Sequence, residues 1–268
     1  VSAAPRLPPA YRLVERDEVG STNDEARALA EAGAEDGTLV WARSQRAGRG
    51  RRGRSWHSPP GNLYLSLVLR PDCAPAKAAQ LSFVAALGAA GAIGAVAPPL
   101  TEIAYKWPND ILVNDRKVAG ILLESSITGG SRLDWLVLGM GLNLAAAPTE
   151  TDFPATSLRA EGCGAIEAAV MLEQFSRHLL AWINRWLDDG FAPVRAAWLR
   201  DAKGLGERIS VTLGYETVAG RFVEIDGTGA LVLEDAAGAR RLITAGDVYF
   251  GAGRGAPGEP ETERETEA

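Results

Sequence analysis

Nine residues constrain this chain more than any other stretch: Gly48 to Trp56, which read Gly-Arg-Gly-Arg-Arg-Gly-Arg-Ser-Trp. The three glycines let the backbone take positive φ and come close to a ligand. The four arginines carry permanent, planar charges that match carboxylate and phosphate. Charge this dense is costly to fold against itself, so the segment waits for an anion. On its own it fits a solvated basic loop or a nucleic-acid patch equally well. Two phosphate motifs fit on paper: Gly48-x-Gly50-x-x-Gly53 as a dinucleotide fingerprint, and Gly48 to Ser55 as a Walker A with Arg54 in the lysine place. Both need a helix to begin at the last glycine, with its N-terminal amides facing phosphate. The residues that follow, Ser55 to Gly61, include Pro59, Pro60 and Gly61, which disfavour a helix. The loop is therefore expected between strands, holding phosphate with its own amides and guanidinium groups.

The charge around it is segregated. The net charge is −6, and the tail Glu259–Ala268 supplies −4 of it through five Glu and one Arg. Between Asp36 and Asp72 there are seven Arg and no acidic residue. An acidic protein with one basic region argues against general nucleic-acid binding. The two cysteines, Cys73 and Cys163, are too few for a disulfide framework or a Cys-based zinc site, and no metal site is expected. That usage fits a reducing, cytoplasmic setting. No signal peptide is read in residues 1–10. The apolar run Leu81 to Leu100 reads as a buried helix, not a membrane span.

Along the chain, residues 1–10 and 252–268 read as disordered. A catalytic domain is expected over 11–203. Its first strand lies near Tyr11 to Val19, followed by a helix whose capping box is Thr22 and Glu25. Strands are expected at Thr38 to Ala42 and Leu63 to Leu69, and one long helix over Pro75 to Val96. A strand ending at Lys106-Trp107 is cut by Pro108, and Asn109-Asp110 make the turn. A hairpin follows, from Ile111 to Glu124. A strand over Trp135 to Leu144 contains Gly139 and Gly141, which suggest close approach by a ligand or neighbour. Helices cover Ile166 to Leu187 and Phe191 to Leu199, where Phe175, Trp182, Trp186 and His178 read as structural. Residues 204–251 form short strands of a small β-barrel. Read from residues alone, Ser21-Thr22-Asn23 is first a helix cap and Asn143 a strand-end polar group.

An anion loop, a Trp able to stack, a lone Lys beside a rigid turn and a small-polar helix start share one chemistry. They suit activation of a carboxylic acid, which attacks the α-phosphate of ATP and expels pyrophosphate. The sequence resembles the biotin–protein ligases in five stretches: Gly20 to Asn23, Gln45 to Arg54, Lys106 to Ile111, Lys117 to Glu124, and Gly139 to Asn143. They keep the family's order and spacing over about Val14 to Phe250.

The resemblance implies an α+β fold. It is a mixed, largely antiparallel sheet flanked by helices, like class II synthetases, with a C-terminal SH3-like β-barrel. It implies biotin and MgATP as substrates and biotinyl-5′-AMP as intermediate. A lysine of a biotin carboxyl carrier domain would accept the biotin. Ser21, Thr22, Asn23 and Gln45 would bind the bicyclic ring, whose carbonyl and two N–H groups need such partners. Gly50, Arg51 and Gly120 would line the biotin tail, and Arg49 would hold the polyphosphate. Lys106 would bridge the carboxylate and the α-phosphate, with Asp110 orienting it or the acceptor amine. Trp56 would pack on the adenine and Asn143 read its edge, with Arg54 and Asn109 completing the ATP site. The loop is expected to be mobile when empty and to order around the adenylate. The catalytic pattern starts near Val14, so no DNA binding through an N-terminal helix-turn-helix is expected. Family members often dimerise, but no residue pattern here fixes the oligomeric state. A lipoate–protein ligase is the nearest rival, and an Arg43–Arg54 nucleic-acid clamp the rival from another class.

Overall fold

The computed structural model describes residues 4–127, 132–214 and 216–250. Seven strands form one sheet: β1 (Arg12–Val19), β2 (Thr38–Gln45), β3 (Leu63–Leu69), β4 (Ile103–Lys106), β5 (Asp110–Val113), β6 (Arg116–Ile127) and β7 (Leu133–Leu142). Their order is β1-β2-β3-β7-β6-β5-β4; β1 and β2 run parallel and every other pair is antiparallel. Strand periodicity sends alternate side chains to opposite faces. Leu65, Leu67, Leu138, Met140 and Ile121 therefore face one core, and Val68 and Val137 face the other. Helices α3 (Leu81–Gly94), α4 (Ala168–Asp189) and α5 (Phe191–Arg200) cover the first face. Helix α1 (Thr22–Glu31) covers the second with Ala26 and Ala30. It is short, so much of that face stays open.

Several expectations need correction. The long apolar helix runs over Pro75–Gly94 with one irregular step: α2 (Pro75–Ala78) and α3 are separated by Ala79 and Gln80, which keep helical dihedrals. At that step the Gln80 side chain accepts from Trp186 Nε1 (2.8 Å) and donates to the Gly227 carbonyl (3.1 Å). The capping box does not form. Ser21 is the N-cap, without a side-chain cap bond, and Thr22 spends its hydroxyl on Gln45 instead. Residues 4–10 are not loose: the Arg6 amide donates to Glu173 (2.7 Å) and Leu7 packs on the core. Residues 1–3 and the tail 252–268, also expected to be disordered, lie outside the described residues.

The C-terminal module contains β8 (Arg208–Leu213), β9 (Glu216–Ile225), β10 (Leu231–Glu234), β11 (Arg240–Ile243) and β12 (Asp247–Phe250), in the order β11-β10-β9-β8-β12. The last of these was not anticipated. The module docks through its Asp226–Ala230 turn. There Trp107 Nε1 donates to the Gly229 carbonyl (3.1 Å), and Phe83 packs edge-on to Phe191 and Trp198 above the same glycine. Trp107 directly follows Lys106, so the dock abuts the site.

Helices α3 and α4 approach closely because Gly88 has no side chain. A Cβ there would stand 3.1 Å from the Leu179 backbone. Gly88→Val should therefore force the pair apart and cost about 1–3 kcal/mol, the range for overpacking a core. A lower urea midpoint at unchanged slope would show it.

Candidate active site

The site is a cleft of about 380 Å³ on the α1 face of the sheet. Every residue that the resemblance assigns to the biotin or ATP site lines it. The register explains the floor: Gly141 lies beside Gly120 and Tyr64, and Gly139 beside Leu122 and Ser66. Three glycines thus fall on the face that the site occupies. A Cβ on Gly139 would stand 2.0 Å from Asn23 Oδ1, and one on Gly141 2.2 Å from Trp56 Nε1. The close approach expected at these glycines is made by Asn23 and the Trp56 indole.

One end of the cleft is neutral, polar and buried. Ser21, Thr22 and Asn23 are each no more than 4% exposed. Gln45 Oε1 accepts from the Thr22 amide (2.8 Å) and hydroxyl (3.1 Å), while Gln45 Nε2 donates to Ser58 Oγ (2.9 Å). Ser58 Oγ in turn donates to the Trp56 carbonyl (2.9 Å). Ser66 Oγ sits 2.6 Å from Asn23 Oδ1 and 2.8 Å from Thr22 Oγ1, with one proton to give to either. Asn23 Nδ2 donates to Glu124 (2.6 Å). Buried polar groups linked in this way fix each other's rotamers.

The arginine loop is folded. Arg49 and Ser55 form an antiparallel bridge, with a single 3-10 turn, Arg51–Gly53, at the tip. Within that turn Arg52 takes φ 56° and Gly53 φ 72°. The Gly50 and Trp56 amides are used inside the loop, donating to the Arg54 and Gly48 carbonyls. Protein carboxylates and carbonyls take the guanidinium groups. Arg49 binds both oxygens of Asp24 at 2.8 Å and Glu124 at 3.1 Å. It bridges α1 and β6 while still lining the cleft. Arg51 donates to Asn109 Oδ1 (3.3 Å) and the Gly246 carbonyl (3.2 Å); Arg54 pairs with Asp247 (2.8 Å).

At the third corner Asp110 lies between two lysines, Lys117 at 2.6 Å and Lys106 at 3.6 Å. Burial pushes the Asp110 carboxyl up, but Lys117 and Lys106 beside it outweigh that and hold it below the usual carboxylate range. Burial also lowers the Lys106 ammonium, opposed by Asp110 and assisted by Lys117. Lys106 is nearly enclosed, with Phe153 over its ammonium at 4.8 Å. Lys117 is the more open of the two, and its ammonium lies 5.3 Å from the Trp56 ring centre. The more accessible cation is thus Lys117, to which the sequence reading gave no role. Its sequence signal was available, since it opens the stretch Lys117 to Glu124. Asn143 donates to the Thr156 carbonyl (3.1 Å), while its Oδ1 is buried without a partner among the described residues. An unmade bond of that kind costs about 1–3 kcal/mol, so the position favours a ligand N–H donor. Asp24, Ser66, Glu124 and Asp247 were also missed. Only the fold shows what they face.

A seven-stranded mixed sheet with helices on both faces and a cleft running from a neutral polar end to a cationic one defines a ligase-type α+β enzyme. The chain belongs to the Biotin/lipoate A/B protein ligase family, whose model matches residues 53–200, and residues 204–251 match the Biotin protein ligase C terminal domain. A Biotin--[acetyl-CoA-carboxylase] ligase of Paracoccus denitrificans is 44% identical over 236 residues, covering 86% of this chain and 97% of that one. Among solved structures, the Aquifex aeolicus biotin protein ligase in complex with biotin and ATP superposes with TM-score 0.75 at 27% identity, covering 89% and 97%. The Leishmania major biotin protein ligase in complex with biotinyl-5-AMP gives 0.62 at 28% identity, covering 89% and 100%.

Two predictions come from this geometry. Gly139→Ala should displace Asn23 and weaken binding at the neutral end by up to about tenfold, the worth of one neutral hydrogen bond; calorimetric titration with biotin reads it. Asp110 has its pKa depressed in the fold, so its contribution is present above the usual carboxylate pKa and lost as pH falls through the lower folded value. Asp110→Asn should therefore be less stable than wild type at neutral pH, with the gap shrinking below the usual carboxylate range in pH-dependent thermal melts.

Proposed function

We propose that this chain is a biotin–protein ligase. One observation carries the reading: a buried, neutral hydrogen-bonding end and a cationic end share one continuous cleft. Biotin has the matching asymmetry, with a ureido ring at one end and a carboxylate at the other. A lipoyl dithiolane offers no N–H or carbonyl to Asn23, Thr22 and Gln45, and would leave buried polar groups unpaired. The family relatives named for biotin support the same choice. Nucleic acid is disfavoured because the chain is acidic, with a net charge of −6 and its arginines gathered at one cleft instead of spread along a surface.

In the first step a biotin carboxylate oxygen attacks the α-phosphorus of ATP. The bond from phosphorus to the bridging oxygen breaks, and pyrophosphate leaves with that electron pair. Magnesium enters with ATP as part of the substrate. Charge builds between carboxylate and phosphate, and stabilising it needs a fixed cation that can reach both. Lys117 fits this role better than Lys106, because it is more exposed and stands over the Gly120 floor. Asp110, itself paired with Lys106, holds it in place from behind. Arg51, Arg52 and Arg54 meet the polyphosphate, the Trp56 indole offers a face to adenine, and Asn143 Oδ1 accepts from its exocyclic amine. In the second step a neutral lysine amine of a biotin carboxyl carrier domain attacks the acyl carbon. AMP leaves with the electrons of the acyl–phosphate bond, and the amine loses a proton.

Mass spectrometry of an acceptor domain incubated with the full chain, biotin and MgATP tests the reading. One biotinyl group should appear on one lysine. Lys117→Ala should slow this by about 100-fold or more, as removal of a transition-state cation does, and Lys106→Ala by less. An acceptor unmodified by wild type, with no adenylate on the enzyme, would refute it.

A further inference from the structure

Asn143 follows β7 and lines the cleft, and what stands behind its side chain fixes how it faces. Nδ2 donates to the Thr156 carbonyl (3.1 Å), which leaves Oδ1 turned the other way, buried and without a partner among the described residues. The two ends of an amide have nearly the same shape, so the acceptor behind it decides which end meets a ligand. Thr156 is itself buried and is held at two further points. Its amide donates to the Lys117 carbonyl (2.9 Å), and its hydroxyl donates to Glu161. Glu161 is not among the residues that line the cleft, and its side chain is only 2% exposed. It collects two more donors, Asn114 Nδ2 at 2.7 Å and Arg116 at 2.6 Å. Asn114 lies in the β5–β6 turn and Arg116 opens β6, so one carboxylate fastens Thr156 to the hairpin that carries Lys117. Burial pushes the Glu161 carboxyl up, but Thr156, Asn114 and Arg116 outweigh that and hold it below the usual carboxylate range.

We propose that Glu161 is a positioning residue that sets base specificity: through Thr156 it fixes the Asn143 amide with its oxygen toward the cleft, and so favours a 6-amino purine over a 6-oxo purine. The proposal rests on the adenylate-forming reading above. An exocyclic amine donates to Oδ1 and makes the bond that the buried oxygen lacks. A 6-oxo group sets one acceptor against another and leaves both unpaired. Without Glu161 the Thr156 hydroxyl loses its acceptor, the Thr156 carbonyl is free to move off Nδ2, and the amide can turn end for end. The turned amide presents Nδ2 to the cleft, where a 6-oxo purine is the better partner. Glu161 thus acts on the choice of nucleotide without touching it.

The experiment compares full-length wild type, Glu161→Ala, Glu161→Gln and Thr156→Val. Initial rates of adenylate formation with ATP and with inosine triphosphate, a 6-oxo purine, read kcat/KM for each nucleotide. NMR of the ligand-free proteins, labelled with ¹⁵N at asparagine, reads how fast the Asn143 Nδ2 protons exchange with water; the signal is assigned by its absence in Asn143→Ser. Glu161→Ala should lower the ATP preference about tenfold, the worth of one hydrogen bond, and speed proton exchange at Nδ2 by a similar factor. Thr156→Val removes the same hydroxyl bond and should match it. Glu161→Gln keeps an oxygen for the Thr156 hydroxyl and should stay near wild type, and KM for biotin should not move in any variant. An unchanged nucleotide preference in Glu161→Ala, even with lower stability, would make Glu161 a folding residue and overturn the proposal. So would a change that Thr156→Val does not share, or equal rises in KM for ATP and for biotin. If wild type forms no adenylate, the functional reading fails, and proton exchange at Asn143 Nδ2 alone decides whether Glu161 positions the amide.

Discussion

The site depends on holding like charges together. Lys106, Lys117, Arg49, Arg51 and Arg54 all line one cleft. Two unit charges 4 Å apart repel by about 4 kcal/mol near a protein surface, so such a group needs fixed counter-charges. Four carboxylate positions supply them. Asp24 and Glu124 take Arg49, Asp110 takes both lysines, and Asp247 takes Arg52 and Arg54 with Arg51 nearby. Each comes from a different element: α1, β6, β5 and β12. The cationic end is therefore a product of the whole fold, although its arginines fall within six residues of sequence.

The neutral end depends on the sheet's two-residue period. Gly120, Gly139, Gly141 and Ser66 reach the same face because each sits at matching parity in its own strand. Removing side chains from that face leaves room for Asn23 and the Trp56 indole, and Glu124 then meets both Asn23 and Arg49. A polar chain consequently runs from Arg49 through Glu124, Asn23, Ser66, Thr22, Gln45 and Ser58 to the Trp56 carbonyl. The two ends of the cleft are mechanically joined, and a change at the ring end is felt by the loop.

Much of this was legible in the sequence. The loop between strands, the leucine strand Leu63–Leu69, the β5–β6 hairpin and four of the five C-terminal strands follow from local residue patterns. The long-range consequences were not legible. Pro75 to Val96 reads as a helix from its apolar residues, but they do not reveal that Gln80 bonds to Trp186 and Gly227. Thr22 and Glu25 have capping-box spacing, but tertiary bonds to Gln45 and Ser66 win over the local cap. Arg49 reads only as a phosphate ligand, because nothing local shows that Asp24 and Glu124 stand beside it. Lys106 reads as the reacting cation because it stands out beside a rigid turn. Only the three-dimensional arrangement shows that Lys117 shares its carboxylate and is the more open of the two.

The central claim is that this cleft itself activates biotin's carboxylate on ATP. Biotin-dependent exchange of labelled pyrophosphate into ATP tests it without any acceptor protein, since exchange requires reversible adenylate formation. The account predicts exchange with biotin and MgATP, no exchange without biotin or with lipoate in its place, and severe loss in Lys117→Ala. Absence of exchange with biotin, or equal exchange with lipoate, would contradict it.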